Sequence, residues 1–260
     1  MIGMSQTSHE RMLAVLDLIE GAGAPLTSDE MADRLGFTRS TLYRYLKILS
    51  DAGLVTSFPD VGYALGPRIA ELDYRMRNSD PLIIASRPVM AELVEAVPGI
   101  ALLCRRYRDK VLCVHQESRG AGFASTYERG RALPLSRGAA SRIILAHLPP
   151  RTIRRLHQED PSGFAEGGLG ESPAAVKAAL KDIRQRGWDV TESQVTRGVT
   201  GVAAPIFDDR GGVLGSLSLT VGRTRLAPAE IQALAERVSF CARIVTKALP
   251  GAHANNNPTL

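Results

Sequence analysis

The sequence predicts an α+β protein in two parts: a small N-terminal unit of three helices with a two-stranded wing, then a larger unit of antiparallel sheet flanked by helices. Three observations carry this expectation. Residues 27–53 read as two short helices joined by a tight turn, residues 54–66 read as a hairpin, and residues 81–250 alternate helical and strand periodicity around turn clusters. At 260 residues, with 44% apolar and 23% charged, the chain is long enough to bury two cores.

A first helix is predicted over residues 9–20, with Met12, Val15, Leu16 and Ile19 as its buried stripe. Thr27 and Glu30 then have capping-box spacing, Met31, Ala32 and Leu35 form a short apolar stripe, and Gly36 supplies a stop. Thr38 caps a further helix that runs to about Ala52, with Gly53 just past its end. On a wheel of roughly 100° per residue, Leu42, Tyr45, Leu46 and Leu49 fall together. Arg39, Ser40, Tyr43, Arg44 and Lys47 fall opposite, within an arc of about 140° that holds three cations and no carboxylate. Long cations suit phosphates and guanine edges, and short hydroxyls suit whichever groups they meet in a major groove. The candidate DNA-reading surface is thus Thr38, Arg39, Ser40, Thr41, Tyr43, Arg44 and Lys47.

The wing follows as a β-prone run over 54–58, a Pro59-Asp60-Val61-Gly62 turn and a return over 63–65. Residues 67–80 begin with Pro67 at a first helical position, and Ile69, Leu72 and Met76 recur at helical spacing with Tyr74 nearby. That stripe suits either a second copy of the chain or the chain's own first unit. Beyond it the pattern predicts a helix over 82–96, strands over 100–106 and 111–117, and a Gly- and Arg-rich loop before Leu133-Pro134-Leu135-Ser136. Helices over 139–147 and 151–158 follow, then one opening at Ser172-Pro173 and closing at Gly187, strands over 199–207 and 213–221, and a final helix over 228–248. The polar tail from Gly251 is expected to be disordered. In the strand over 215–221, Leu217, Leu219 and Val221 point one way and Ser216, Ser218 and Thr220 the other. The hydroxyl side is either a solvated face or the lining of a cavity for a small polar ligand.

The formal charge of +5 is unevenly spread: residues 1–66 hold five Lys and Arg against eight Asp and Glu, while residues 81–260 hold 24 against 16. DNA affinity is therefore assigned to the cations of one helix, and an acidic head is expected to need a dimer to accumulate contacts. Cys104, Cys113 and Cys241 lie in apolar segments without ligand-like spacing, and the five His are scattered, so reduced structural thiols and no metal or other cofactor are expected. No apolar run reaches the roughly 20 residues of a membrane helix and no signal h-region opens the chain, so the expected location is the cytoplasm, away from membranes. G-x-S-x-G, H-E-x-x-H and P-loop motifs are all missing, which argues against an enzyme. The remaining alternative is an architectural or scaffolding DNA-binding protein whose second unit only oligomerises.

Several segments, taken in order, resemble the IclR family of bacterial transcription regulators: residues 11–16, Thr41-Leu42-Tyr43-Arg44-Tyr45-Leu46 before Leu49 and Gly53, and Tyr63-Ala64-Leu65-Gly66. The likeness continues through Pro134-Leu135, Ile144-Leu145-Ala146, residues 183–188, and Gly198-Val199 to Ala203-Ala204-Pro205-Ile206-Phe207-Asp208. It implies a winged helix-turn-helix over 1–66, a linker helix over 67–80, and a GAF-like effector-binding and oligomerisation domain over 81–250. The implied partners are a double-stranded DNA operator, a small-molecule effector and further copies of the chain, as a dimer or dimer of dimers. The implied effector site comprises Leu135, Ser136, Gly138, Ala139, Ala140, Thr191, Ser193 and Gly201, to which the alternating strand adds Ser218. Here the chain departs from the family pattern, with Ser136 in place of a usual His, Ser141-Arg142 for Gly-Lys, and Ser193-Gln194 for frequent carboxylates. Thr191 and Gly201 stand where one branch uses Asp and Cys to touch a small oxoacid. The missing acid at 191, neutral donors at Ser136, Thr191, Ser193 and Ser218, and the +8 charge of residues 81–260 favour an anionic effector.

Overall fold

The computed structural model describes residues 7–249, and the chain divides into two compact units with the break between Asn78 and Ser79. The disorder expected of the tail falls outside the described residues.

In the first unit α1 (Ser8–Ala22), α2 (Ser28–Leu35) and α3 (Arg39–Asp51) enclose a core of Val15, Ile19, Met31, Leu42, Tyr45, Leu46 and Leu49. Local chemistry sets the ends of these helices. The Thr27 hydroxyl accepts from the Glu30 amide at 3.3 Å while the Glu30 carboxylate accepts from the Thr27 amide at 2.8 Å, and Gly36 closes α2 at φ 63°. Thr7 and Glu10 start α1 with the same reciprocal pair, a signal that the sequence reading passed over. The wing is β1 (Val55–Phe58) paired antiparallel with β2 (Gly62–Leu65), and backbone bonds between Leu26 and Tyr63, at 3.0 and 2.8 Å, fasten it to the segment before α2. Gly62 is required there: its φ is 125°, and a Cβ would sit 2.5 Å from the Leu26 carbonyl oxygen. In α4 (Arg68–Ser79) nothing is buried, and Ile69, Leu72, Tyr74 and Met76 are all exposed, so of the two uses foreseen for this stripe the fold-back onto its own unit is not adopted.

The second unit begins with α5 (Pro81–Ala96) and the strands β3 (Gly99–Tyr107), β4 (Lys110–Arg119) and β5 (Ala132–Pro134). Four helices follow: α6 (Ala139–Ala146), α7 (Pro150–Glu159), α8 (Pro161–Glu166) and α9 (Pro173–Arg186). Then come β6 (Asp189–Glu192), β7 (Thr200–Phe207), β8 (Val213–Val221) and α10 (Pro228–Ala248). All pairings are antiparallel, in the order β5-β4-β3-β8-β7-β6, with β5, β6 and α8 additional to the predicted elements. Both faces of the sheet are covered. Ala101, Leu103, Leu217 and Leu219 pack with α5 and α10, and Ile100, Leu102, Cys104 and Ala203 pack with α6 and α9. The hydroxyl side of β8 is therefore interior: Ser216 and Ser218 are buried, and the Ser216 hydroxyl donates to the Ala140 carbonyl at 2.8 Å.

Candidate functional site

On α3 the apolar stripe is buried and Arg39, Ser40, Tyr43, Arg44 and Lys47 are exposed, so one helix presents a basic face because its other face makes the core. Two of these side chains are steadied by α2: Arg39 pairs with Asp29 at 3.0 Å, and the Tyr43 hydroxyl lies 3.2 Å from the Ser28 hydroxyl. Ser28 and Asp29 were not among the sequence candidates, because a wheel drawn for one helix cannot show a neighbour. Among the described residues Arg44 and Lys47 have no carboxylate partner, and the Arg44 guanidinium lies over the Tyr45 ring at 5.3 Å. Thr38 and Thr41 serve the start of the helix. The Thr38 hydroxyl accepts from the Thr41 amide at 3.3 Å and donates to the half-buried Thr41 hydroxyl at 2.9 Å, which turns Thr41 inward. The wing tip, Pro59-Asp60-Val61, carries no cation.

In the second unit a cleft opens where β7 and β8 meet the start of α6. In-register pairing brings Thr191 opposite Gly201 and Gly201 opposite Thr220, while Leu102 and Ala203 flank Ser218. Thr191, Gly201, Thr220, Leu102 and Ser218 line the cleft, with Ala139 and Ala140 at the helix start and Ser193 from the loop after β6. Six of the nine sequence candidates are thus brought together. Leu135, Ser136 and Gly138 do not line it. Leu135 belongs to the core beside α6, Ser136 is buried with its carbonyl packed under Gly167, and Gly138 turns the chain into α6. Gly138 has φ 83°, and a Cβ there would meet Val195 at 2.8 Å. Besides Leu102 of β3, the named candidates omit Ser125, Tyr127, Gln194, Val195, Thr196 and Val199 of the lining, the last four lying between the implied residues Thr191 and Gly201. They come from two loops bound to each other, with the Thr126 amide on the Thr196 hydroxyl at 3.0 Å and the Thr126 hydroxyl on the Val195 carbonyl at 3.0 Å.

The amides that start α6 are engaged by two residues of the cleft lining: Gly138 N–H, at the cap, donates to the Gln194 side-chain oxygen and Ala139 N–H to the Thr191 hydroxyl, each at 3.0 Å. The Gln194 amide group donates to the Gly167 carbonyl at 3.1 Å, so a residue noted only as a departure from the family pattern holds two backbone segments together. Behind it Arg142 pairs with the fully buried Asp189 at 2.9 Å and donates to the same Gly167 carbonyl at 2.8 Å. Burial pushes the Asp189 carboxyl up and the Arg142 guanidinium down, and each partner's charge offsets this. Among the described residues no Lys, Arg, His, Asp or Glu lines the cleft, and burial drives the Tyr127 phenol far above its ordinary value, so it stays protonated. The +8 charge is therefore not aimed here, contrary to its use in the sequence reading. The Ser218 hydroxyl, 3% exposed, has no hydrogen-bond partner among the described residues. The centre of a water molecule can reach ≈ 40 Å³ of the cleft, room for roughly three waters.

Cys104 and Cys113 face each other across β3 and β4 as buried free thiols, and Cys241 is also buried and free. Among the described residues no group of three His, Cys, Asp or Glu could hold a metal ion, and no helix is long and apolar enough to cross a membrane.

Residues 8–57 match the IclR helix-turn-helix domain and residues 75–247 match the bacterial transcriptional regulator IclR C-terminal domain, and the chain belongs to the IclR family. It is 28% identical over 236 residues to the HTH-type transcriptional regulator BhcR of Paracoccus denitrificans, covering 90% of this chain and 84% of that one. Its fold is similar to an IclR-type transcriptional regulator of Alicyclobacillus acidocaldarius, with TM-score 0.76 and 22% identity over 94% of this chain and 99% of that one. An IclR homologue of Microbacterium hydrocarbonoxydans, solved in complex with 4-hydroxybenzoate, has TM-score 0.73 at 20% identity, over 94% and 99% of the two chains.

Proposed function

We propose that the chain, a DNA-binding transcriptional regulator by family, reads a pseudo-palindromic operator as a homodimer by placing the two α3 helices in successive major grooves, about 34–36 Å apart. Arg44 and Lys47 contact the duplex directly, and Arg39 joins them by exchanging Asp29 for a phosphate. The exposed stripe of α4 supplies the surface for the second copy.

Operator affinity is set by a small organic carboxylate bound in the cleft. The observation that carries this is the start of α6: two backbone amides at a helix N-terminus, held only by neutral acceptors, beside the unpartnered Ser218 hydroxyl. The carboxylate takes the Gly138 and Ala139 amides and the Ser218 hydroxyl, and its body lies against Leu102, Val195 and Val199. The 4-hydroxybenzoate held by the Microbacterium homologue belongs to this chemical class. A volume for three waters is too small for such a ligand, so binding displaces the 193–199 loop and the 125–127 loop hydrogen-bonded to it. The ligand shifts the regulator only by its differential affinity for two poses of the dimer.

The test is operator binding by fluorescence anisotropy with small aromatic and aliphatic carboxylates, beside a thermal-shift series. A ligand of the cleft raises the melting midpoint with concentration and changes operator affinity, and Ser218→Val reduces both effects. A flat response across the set returns the second unit to a purely oligomerising role.

A further inference from the structure

The positive charge of the second unit is concentrated away from the cleft. Arg105, Arg142, Arg155, Arg186 and Arg223 each pair with a carboxylate. Among the described residues Arg154, Lys177 and Arg184 have no such partner, and all three line one groove between α7 and α9. The groove exists because both helices turn an i, i+3, i+4 stripe toward each other, Ile153 and His157 from α7 and Val176 and Leu180 from α9. Val176 and Leu180 are core residues, so the floor is apolar and fixed. The centre of a water molecule reaches ≈ 580 Å³ of it, far more than in the cleft and inside the range of about 300–1,000 Å³ usual for ligand pockets. Among the described residues no carboxylate lines it. His157 is 7% exposed, meets Phe164 edge-on at 5.3 Å, and has no hydrogen-bond partner for its Nε2 among the described residues.

An apolar floor, a rim of three unpaired cations and a buried ring nitrogen without a partner together specify a ligand. We propose that the α7–α9 groove is a second small-molecule site, distinct from the cleft, for an amphipathic organic anion. The ligand's aromatic or branched body rests on Ile153, Val176 and Leu180. Its carboxylate or sulfonate faces Arg154, Lys177 and Arg184, and a polar substituent reaches His157. A protein partner fits less well: the groove is concave and has eleven lining residues, whereas a stable protein interface takes about 20–30 residues a side.

The experiment is titration calorimetry of the full chain with 1-naphthoate and with uncharged 1-naphthamide, at low salt. Wild type binds naphthoate at least about tenfold more tightly than the amide, and Arg154→Glu with Lys177→Glu removes that preference. In a Gly201→Val background, which fills the cleft and so removes binding there, naphthoate binding persists, and adding Ala174→Trp, an exposed position that fills the groove, abolishes binding of both probes. Three results overturn the proposal. One is no heat of binding to wild type. Another is loss of binding in Gly201→Val with retention in Ala174→Trp, which puts the probe in the cleft. The third is a sedimentation shift in the charge-reversed variant without any change in naphthoate affinity, which makes the groove a contact between copies.

Discussion

In the first unit the side chains assigned to DNA stand in solvent on one face of α3, and the core beneath them is wholly apolar apart from the Tyr45 hydroxyl. In the second unit the polar groups that shape the cleft are interior: Asp189 is fully buried, Arg142 nearly so, and Ser218 has no partner. The two arrangements separate recognition from stability to different degrees. An exposed basic face can change without disturbing the helix that carries it. A buried ion pair that positions the start of α6 cannot, because the polar groups are part of the packing.

The largest effect that would sharpen this contrast is expected for Asp189→Ala. It strands the Arg142 guanidinium inside the protein and should cost about 3–5 kcal/mol by urea denaturation, with amide exchange speeding up in α6 and β7 and not in α3. A cost below about 1 kcal/mol, in the range of a surface pair, would break the comparison. Arg44→Ala should do the reverse: stability within about 0.5 kcal/mol of wild type, and, where the side chain reads a base, a loss of about 1–3 kcal/mol at one operator position. A uniform loss over all sequences would make Arg44 a phosphate contact. Thr27→Ala should cost about 1 kcal/mol through loss of the α2 cap. That variant also has a pH signature. The amide and hydroxyl of Thr27 hold the Glu30 carboxyl below the usual carboxylate range, so its contribution is present above that range and is lost as pH falls through the depressed value. Acid sensitivity below the usual carboxylate range should therefore be smaller in Thr27→Ala than in wild type. The smallest change is expected for Lys47→Ala, which should reduce the salt dependence of operator binding by about one phosphate contact and leave base preference intact.

How far each region was legible from sequence follows the same divide. Capping boxes, an αL glycine and a clean helical wheel are local signals, and every element of the first unit was predicted to within a few residues. In the second unit β8 announced itself by alternation, but alternation cannot tell a solvated hydroxyl face from one covered by α6. That distinction depends on a helix some 75 residues away, whose Ala140 carbonyl accepts from Ser216. β6 escaped notice because Asp189-Val190-Thr191-Glu192 is short, polar at both ends and on the edge of the sheet. The cleft's roof was invisible for a related reason. Thr126 and Thr196 are 70 residues apart and are joined only by hydroxyl and backbone contacts, which leave no periodicity to read. Ser136 misled because a position implied by a family likeness says nothing of which way its side chain turns.

The engaged amides at the start of α6 give the proposed sensor an inhibitor of its own. Thr191 and Gln194 occupy, at a fixed and high local concentration, the donors that an incoming carboxylate needs. Under the proposed function, an effector competes with two tethered rivals that never dissociate from the molecule. That reading implies a response threshold: weakly held anions at background levels leave Thr191 and Gln194 in place, and only a ligand whose remaining contacts outweigh that standing competition turns the regulator.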